Sequence, residues 1–288
     1  MALQRILFGD NQFFGVNHMS EDKARAQAMK FNNTQSIMRV LDYAYESGIK
    51  VFMCTTYDQV GDIADIVRDN PDKYPDFEFY PCMPYAHKFA NSLGEVGILE
   101  TLKRFSPSSV MGTLIRGATS VITQDVEKVM QLLIDAELKQ FRDVSTPVIF
   151  LQNVVTDLLL GLKFYDMLGA FHRYIRDKYK AEAGFITMNL PLLTKVLKEQ
   201  GIENAIVCAN INKIGFRMCG GIEEYRNVIQ KGDFRVVAMS VLASGAIPPK
   251  EAIKWACELD GLHSIVFGAS SPANIRNTRD LIASYWNL

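Results

Sequence analysis

The chain is poor in the residues that build metal and nucleophile sites. Only four histidines occur in 288 residues (His18, His87, His172 and His263), and no two have HExxH or similar spacing. That argues against an all-protein zinc site. The five cysteines (Cys54, Cys82, Cys208, Cys219 and Cys257) are odd in number and form no CxxC. They are expected to be reduced thiols in a cytoplasmic protein rather than a disulfide framework. Charge of one sign is also lacking: the net charge is −1, so no basic field points to a nucleic-acid polymer or an anionic membrane. No apolar run approaches the ~20 residues needed to span a bilayer, and no charged-then-apolar N-terminal segment suggests secretion. A small molecule is the expected partner. Nothing in the pattern fixes an oligomeric state.

What is present is alternation. Arg5–Phe8 is a short apolar run closed by Gly9. Thr34–Ser47 has apolar residues at Ile37, Val40, Leu41 and Ala44, the period of a helix, and Gly48 follows as its stop. Strand-like runs recur at Val51–Cys54, Phe77–Met83, Pro147–Gln152, Phe185–Met188, Ala205–Ala209, Val236–Met239 and Ser264–Phe267. Helical patterns lie between them, at Asp157–Tyr179, Leu190–Gln200, Glu223–Gln230, Lys250–Leu259 and Pro272–Tyr285. Eight strands alternating with helices predict an α/β fold: a single (β/α)8 TIM barrel over residues 1–288. The third β-to-β crossover is enlarged. Residues 84–145 hold two helical patterns, Leu93–Phe105 and Asp125–Phe141, and are expected to form a helical insertion or lid. Chemistry in such barrels sits at the C-terminal ends of the strands, so the residues after each strand are the candidates.

Four segments carry a resemblance to a known family. They are SIMRVLDYAYESGIKVFMCTTYDQVGDIADIV, GFITMNLPLLTKVLKEQGIENAIVCANIN, AMSVLASGAI and FGASSPANIRNTRDLI. In order and spacing they resemble the aldo/keto reductase superfamily. The resemblance implies a barrel whose last two loops hold the phosphates and adenosine of NADP. It also implies an aspartate ending strand two, a tyrosine soon after it, a lysine ending strand three and a histidine ending strand four. The corresponding positions here read Cys54, Gln59, Pro81-Cys82-Met83-Pro84 and Gln152-Asn153. The aromatic that would stack on nicotinamide reads Met239. The chain thus resembles a divergent member lacking the catalytic tetrad.

Site candidates follow the strand ends. Asp10, Gln12 and His18 crowd the loop after the first strand; Asp10 could act as general base, or simply make an Asx-turn. Tyr57 and Asp58 are acid–base candidates after the second strand. Cys54 is there too, as an inert buried thiol or, with a cation beside it, a nucleophile. His87 and Lys88, after the third, could meet an anionic substrate, or be solvated. Arg116 could reach the mouth from the crossover or lie on the surface. Gln152, Asn189, Asn210 and Asn212 suggest a hydrogen-bonding cup; loop-satisfying amides are the alternative. Lys213 is the one Schiff-base candidate. Ser240, Leu242, Ser270, Ser271 and Arg276 are candidates for an anion or cofactor-phosphate site, because a helix start offers unpaired N–H groups. The plain alternative is a tight loop and an N-cap.

Three functional readings stay open. The first is an enzyme acting on a polar, phosphorylated or nucleotide-linked compound by acid–base chemistry. The second is an NADP-dependent oxidoreductase with a rearranged proton donor, Tyr57 or His87. The third is a non-catalytic barrel that binds a ligand or partner. The cofactor stays open: NADP is what the resemblance implies, and the missing tetrad argues against it.

Overall fold

The computed structural model describes residues 3–16, 20–84 and 119–288. Eight parallel strands close into a barrel in sequence order: β1 (Ile6–Gly9), β2 (Val51–Thr55), β3 (Glu78–Met83), β4 (Val148–Leu151), β5 (Glu182–Thr187), β6 (Ile206–Asn210), β7 (Arg235–Met239) and β8 (Leu262–Phe267). β8 returns to pair with β1, with Phe8 opposite Phe267. The expected (β/α)8 fold is therefore present.

The described helices are α1 (Glu21–Lys30), α2 (Thr34–Glu46), α3 (Asp58–Asp69), α4 (Thr119–Leu138), α5 (Asn153–Gly161), α6 (Asp166–Tyr174), α7 (Leu190–Glu199), α8 (Ile222–Gln230), α9 (Pro249–Cys257) and α10 (Pro272–Trp286). Four differ from the sequence expectation, and one of them is α3, since no helical pattern was assigned between the second and third strands. α1 was not foreseen, because its sequence EDKARAQAMK carries almost no apolar stripe. The single helix expected over Asp157–Tyr179 is instead α5, α6 and a π-helical turn at Ile175–Tyr179. Lys163, in the left-handed region at φ 59°, breaks it. In the third crossover, α4 begins at Thr119, ahead of the expected Asp125, and runs into a 3₁₀ turn at Lys139–Phe141. The pattern at Leu93–Phe105 lies outside the described residues.

Strand alternation sorts side chains into two cores. Outward residues such as Phe8, Phe52, Phe79 and Phe185 pack under the helices. Inward ones, among them Met53, Tyr80, Cys82, Phe150 and Cys208, fill the barrel. Gly184 makes room for one of them, since a Cβ there would lie 2.4 Å from the Phe150 ring. At the N-terminal end Arg235 forks onto Glu182, with Nη1 3.1 Å from Oε1. The lower half of the barrel is thus filled and ion-paired.

Candidate functional site

Asp10 follows directly on β1. Its carbonyl accepts from Phe13 N–H at 2.8 Å, turning the chain back over the barrel. Its side chain is 8% exposed and accepts from the Thr55 backbone N–H at the end of β2, Oδ2 at 2.6 Å. Burial raises the Asp10 pKa from 3.8 to about 6, while the Thr55 bonds pull less strongly the other way. The Cys54 and Cys82 thiols lie near enough to feel that charge. Burial first, and then Asp10, hold both in the thiol form well above their usual range. This setting favours the inert-thiol reading of Cys54.

The rest of the β2 end is equally ordered. Tyr57 stacks on Phe14 with ring centroids 3.9 Å apart. Asp58 opens α3 and is exposed. Between Thr55 and Tyr57, the fully buried Thr56 hydroxyl donates to the carboxylate of Glu137, which reaches in from α4.

A second corner lies across the β1–β8 seam. Ser271 caps α10, its Oγ accepting from Asn274 N–H at 3.3 Å. Lys30, the last residue of α1, donates to the Ser270 carbonyl at 2.9 Å. Arg276 is exposed one turn into the helix. Gln12 joins the two corners: Nε2 donates to Gly9 O at 2.7 Å, and its Oε1 occupies the space where a Gly268 Cβ would be, 1.9 Å from it. Gln12 is 5% exposed, and that Oε1 is buried with no partner among the described residues. The loop after β7 carries non-glycine residues at positive φ, Ser240 at 55°, Ala243 at 45° and Ser244 at 57°, with Leu242 between them. Such backbone is costly, on the order of 1–3 kcal/mol per residue, and clusters at ligand sites.

The amides after β5 and β6 hold the loops themselves. Asn189 caps α7 through Leu192 N–H. Asn212 donates to Phe216 O at 2.9 Å and accepts from Phe216 N–H at 2.7 Å. Asn210 donates to the Arg217 carbonyl at 3.2 Å and points at the Met188 sulfur. Gln152 precedes α5, its own N–H on Met83 O. Lys213 pairs with Glu251 at 2.6 Å in an exposed ion pair. His18, His87, Lys88 and Arg116 lie outside the described residues.

Sequence reasoning passed over three residues. Thr55 acts through its backbone, which no side-chain motif reports. Glu137 and Asp157 sit inside helical patterns where a carboxylate reads as a solvated face. Asp157 in fact accepts from Thr187 Oγ1 at 2.5 Å and from Met188 N–H at 3.0 Å, fixing the β5 end; burial raises its pKa.

No family model and no curated protein matches the chain. Solved structures do match over nearly its whole length. A proposed aldo-keto reductase from Pseudomonas aeruginosa is 12% identical over 99% of this chain and 92% of its own, with a TM-score of 0.60. The chain has an aldo/keto-reductase-like barrel. The aldose reductase of Giardia lamblia is 11% identical over 100% of this chain and 92% of its own, TM-score 0.55. A Gox0644 variant in complex with NADPH is 10% identical over 96% and 83%, TM-score 0.53. At these identities the likeness is one of fold.

The sequence resemblance, rather than the fold, implies NADP, and two positions bear on it. The capped start of α10, with Ser270, Ser271, Lys30 and Arg276, fits a phosphate. Met239 packs against the side chains that fill the barrel, where the resemblance implies an aromatic plate. Among the described residues, no group of three or more His, Cys, Asp or Glu side chains is arranged to hold a metal ion, and no helix is long and apolar enough to cross a membrane.

Proposed function

We propose that the chain is a small-molecule enzyme whose acid–base group is Asp10. The observation that carries this is the setting of that carboxylate. It is buried at a strand end over the barrel mouth, held by hydrogen bonds from Thr55, with a pKa near 6. A group so poised is present in both forms near neutrality, which is what general acid–base catalysis requires. As base, Asp10 would take a proton from an acidic C–H, N–H or O–H of the substrate; as acid, it would return one to the product. The loop it belongs to touches the α10 corner through Gln12 and Gly268. A substrate spanning both would be polar and carry a phosphate or similar anion. We therefore favour elimination, isomerisation or hydrolysis of such a compound in the cytoplasm, with residues 84–145 as a helical insertion or lid over the mouth.

A second reading has its own support. Tyr57, stacked on Phe14 two residues beyond Thr55, would be the proton donor if the chain carried out an NADP-dependent reduction of the kind the fold neighbours' names describe. NADPH titration followed by nicotinamide fluorescence separates the two. Submicromolar binding would overturn the non-redox reading, and no binding would overturn the reductase. Once a substrate is found from a panel of phosphorylated metabolites, Asp10→Asn is expected to lower kcat by about 100-fold or more while leaving binding intact. Unchanged turnover would sink the role given to Asp10, and a variant panel without any turnover phenotype would favour a binding barrel.

A further inference from the structure

We infer that Glu137, carried by the third crossover, is a positioning residue for Asp10. This rests on the acid–base reading of Asp10. Glu137 lies in the last turn of α4 and is 2% exposed. A carboxylate so deeply buried is unfavourable unless it is well hydrogen-bonded, and an apolar side chain would fill the same space without that penalty. Its partner is the hydroxyl of Thr56, itself fully buried. Thr56 stands between Thr55, whose N–H holds the Asp10 carboxylate, and Tyr57, whose N–H closes a tight turn onto Thr55 O at 3.0 Å.

The β2 end is thus gripped from two sides, by Asp10 from β1 and by Glu137 from a different crossover. The chain after Glu137 reinforces the grip. Gln140 packs on Gly61 of α3, and Arg68 of α3 donates to the Arg142 carbonyl at 2.7 Å. Loss of the Glu137 contact would loosen the Thr56 side chain. It would then let the Thr55 N–H drift from Asp10 and admit water beside it. Among the described residues, the thiols that feel that carboxylate are Cys54 and Cys82, and the substitutions below leave both in place.

The test uses the full chain and needs no substrate. Amide exchange at Thr55 and the titration of the Asp10 ¹³Cγ signal are followed by NMR in Glu137→Ala and Glu137→Gln, with Ala238 on β7 as a remote control. In Glu137→Ala, Thr55 is expected to exchange at least about tenfold faster while Ala238 does not change. The Asp10 midpoint is expected to move by about half a unit or more. Glu137→Gln keeps a carbonyl that accepts from Thr56 and is expected to restore both. Where Glu137→Ala fails to fold, Thr56→Val removes the other half of the same bond and carries the same expectations. The inference is overturned by an unchanged Thr55 rate and Asp10 midpoint, or by a rise at Thr55 and Ala238 together, which would mark general destabilisation. Failure of the underlying reading looks different: Asp10→Asn would then turn over substrate normally, whatever Thr55 does.

Discussion

The backbone N–H of Thr55 donates to Asp10 Oδ2 at 2.6 Å, so the ends of β2 and β1 meet at one buried carboxyl. Its folded-state pKa of about 6 lies above the ordinary 3.8, so folding favours the protonated form. The stabilisation is complete below the ordinary value and is lost as pH rises through 6. Above that the folded state carries a buried charge, at about 3 kcal/mol for a shift of this size. Asp10→Asn keeps an acceptor for Thr55 and never ionises. It is expected to match wild type near pH 4 and exceed it by up to about 3 kcal/mol near pH 8, in urea unfolding. A stability gap that is the same at both pH values would contradict this placement.

Gly184 and Phe150 face each other inside the barrel on neighbouring strands. A methyl group at Gly184 would lie 2.4 Å from the ring, inside a closed sheet that cannot widen locally. Gly184→Ala is expected to destabilise by about 1–3 kcal/mol or more. In a Phe150→Leu background, where the ring is gone, most of that loss should disappear. Additive losses in the double variant would show that the two positions are not coupled.

The five thiols should differ sharply in reactivity. Cys54, Cys82 and Cys208 are buried and Cys219 is exposed. Burial pushes Cys257 up to about 12, so little thiolate is present near neutrality. A maleimide should therefore label Cys219 fast, and Cys219→Ser should remove the fast phase. Rapid labelling of Cys54 in the native state would reopen its reading as a nucleophile.

The barrel was legible because it is written in local periodicity. Strand runs such as Val51–Cys54 and helix stripes such as Ile37, Val40, Leu41 and Ala44 recur in order around the whole sheet. α1 was not legible, because a polar ten-residue helix leaves no stripe. The site was legible only at strand ends, where position itself marks a residue: Asp10 was named for that reason. What Asp10 touches was not, because a backbone N–H from Thr55 and a carboxylate 81 positions beyond Thr56 leave no local pattern. The asparagines show the converse. Asn189 and Asn212 stood at the right places, yet their amides cap a helix and clamp a loop. Sequence cannot say which way a side-chain amide is used.

The α10 corner can be divided between its structural and binding roles. Ser271 accepts from Asn274 N–H, so Ser271→Ala should lose a cap worth about 1 kcal/mol whether or not any ligand binds. Arg276 is exposed, so Arg276→Ala should change stability by no more than about 0.5 kcal/mol in phosphate-free buffer. Inorganic phosphate distinguishes the two. A ligand that binds only the folded state raises its stability in proportion to the logarithm of its concentration over Kd. Wild type should therefore gain Tm steadily with added phosphate. Ser271→Ala should start lower and gain less, because the helix start that presents its N–H groups has frayed. Arg276→Ala should start level with wild type and lose most of the gain, since the guanidinium would supply the second charged arm of the grip. If Arg276→Ala kept the full response, the anion would be bound elsewhere, and Ser270 and Ser271 would be only a turn and a cap.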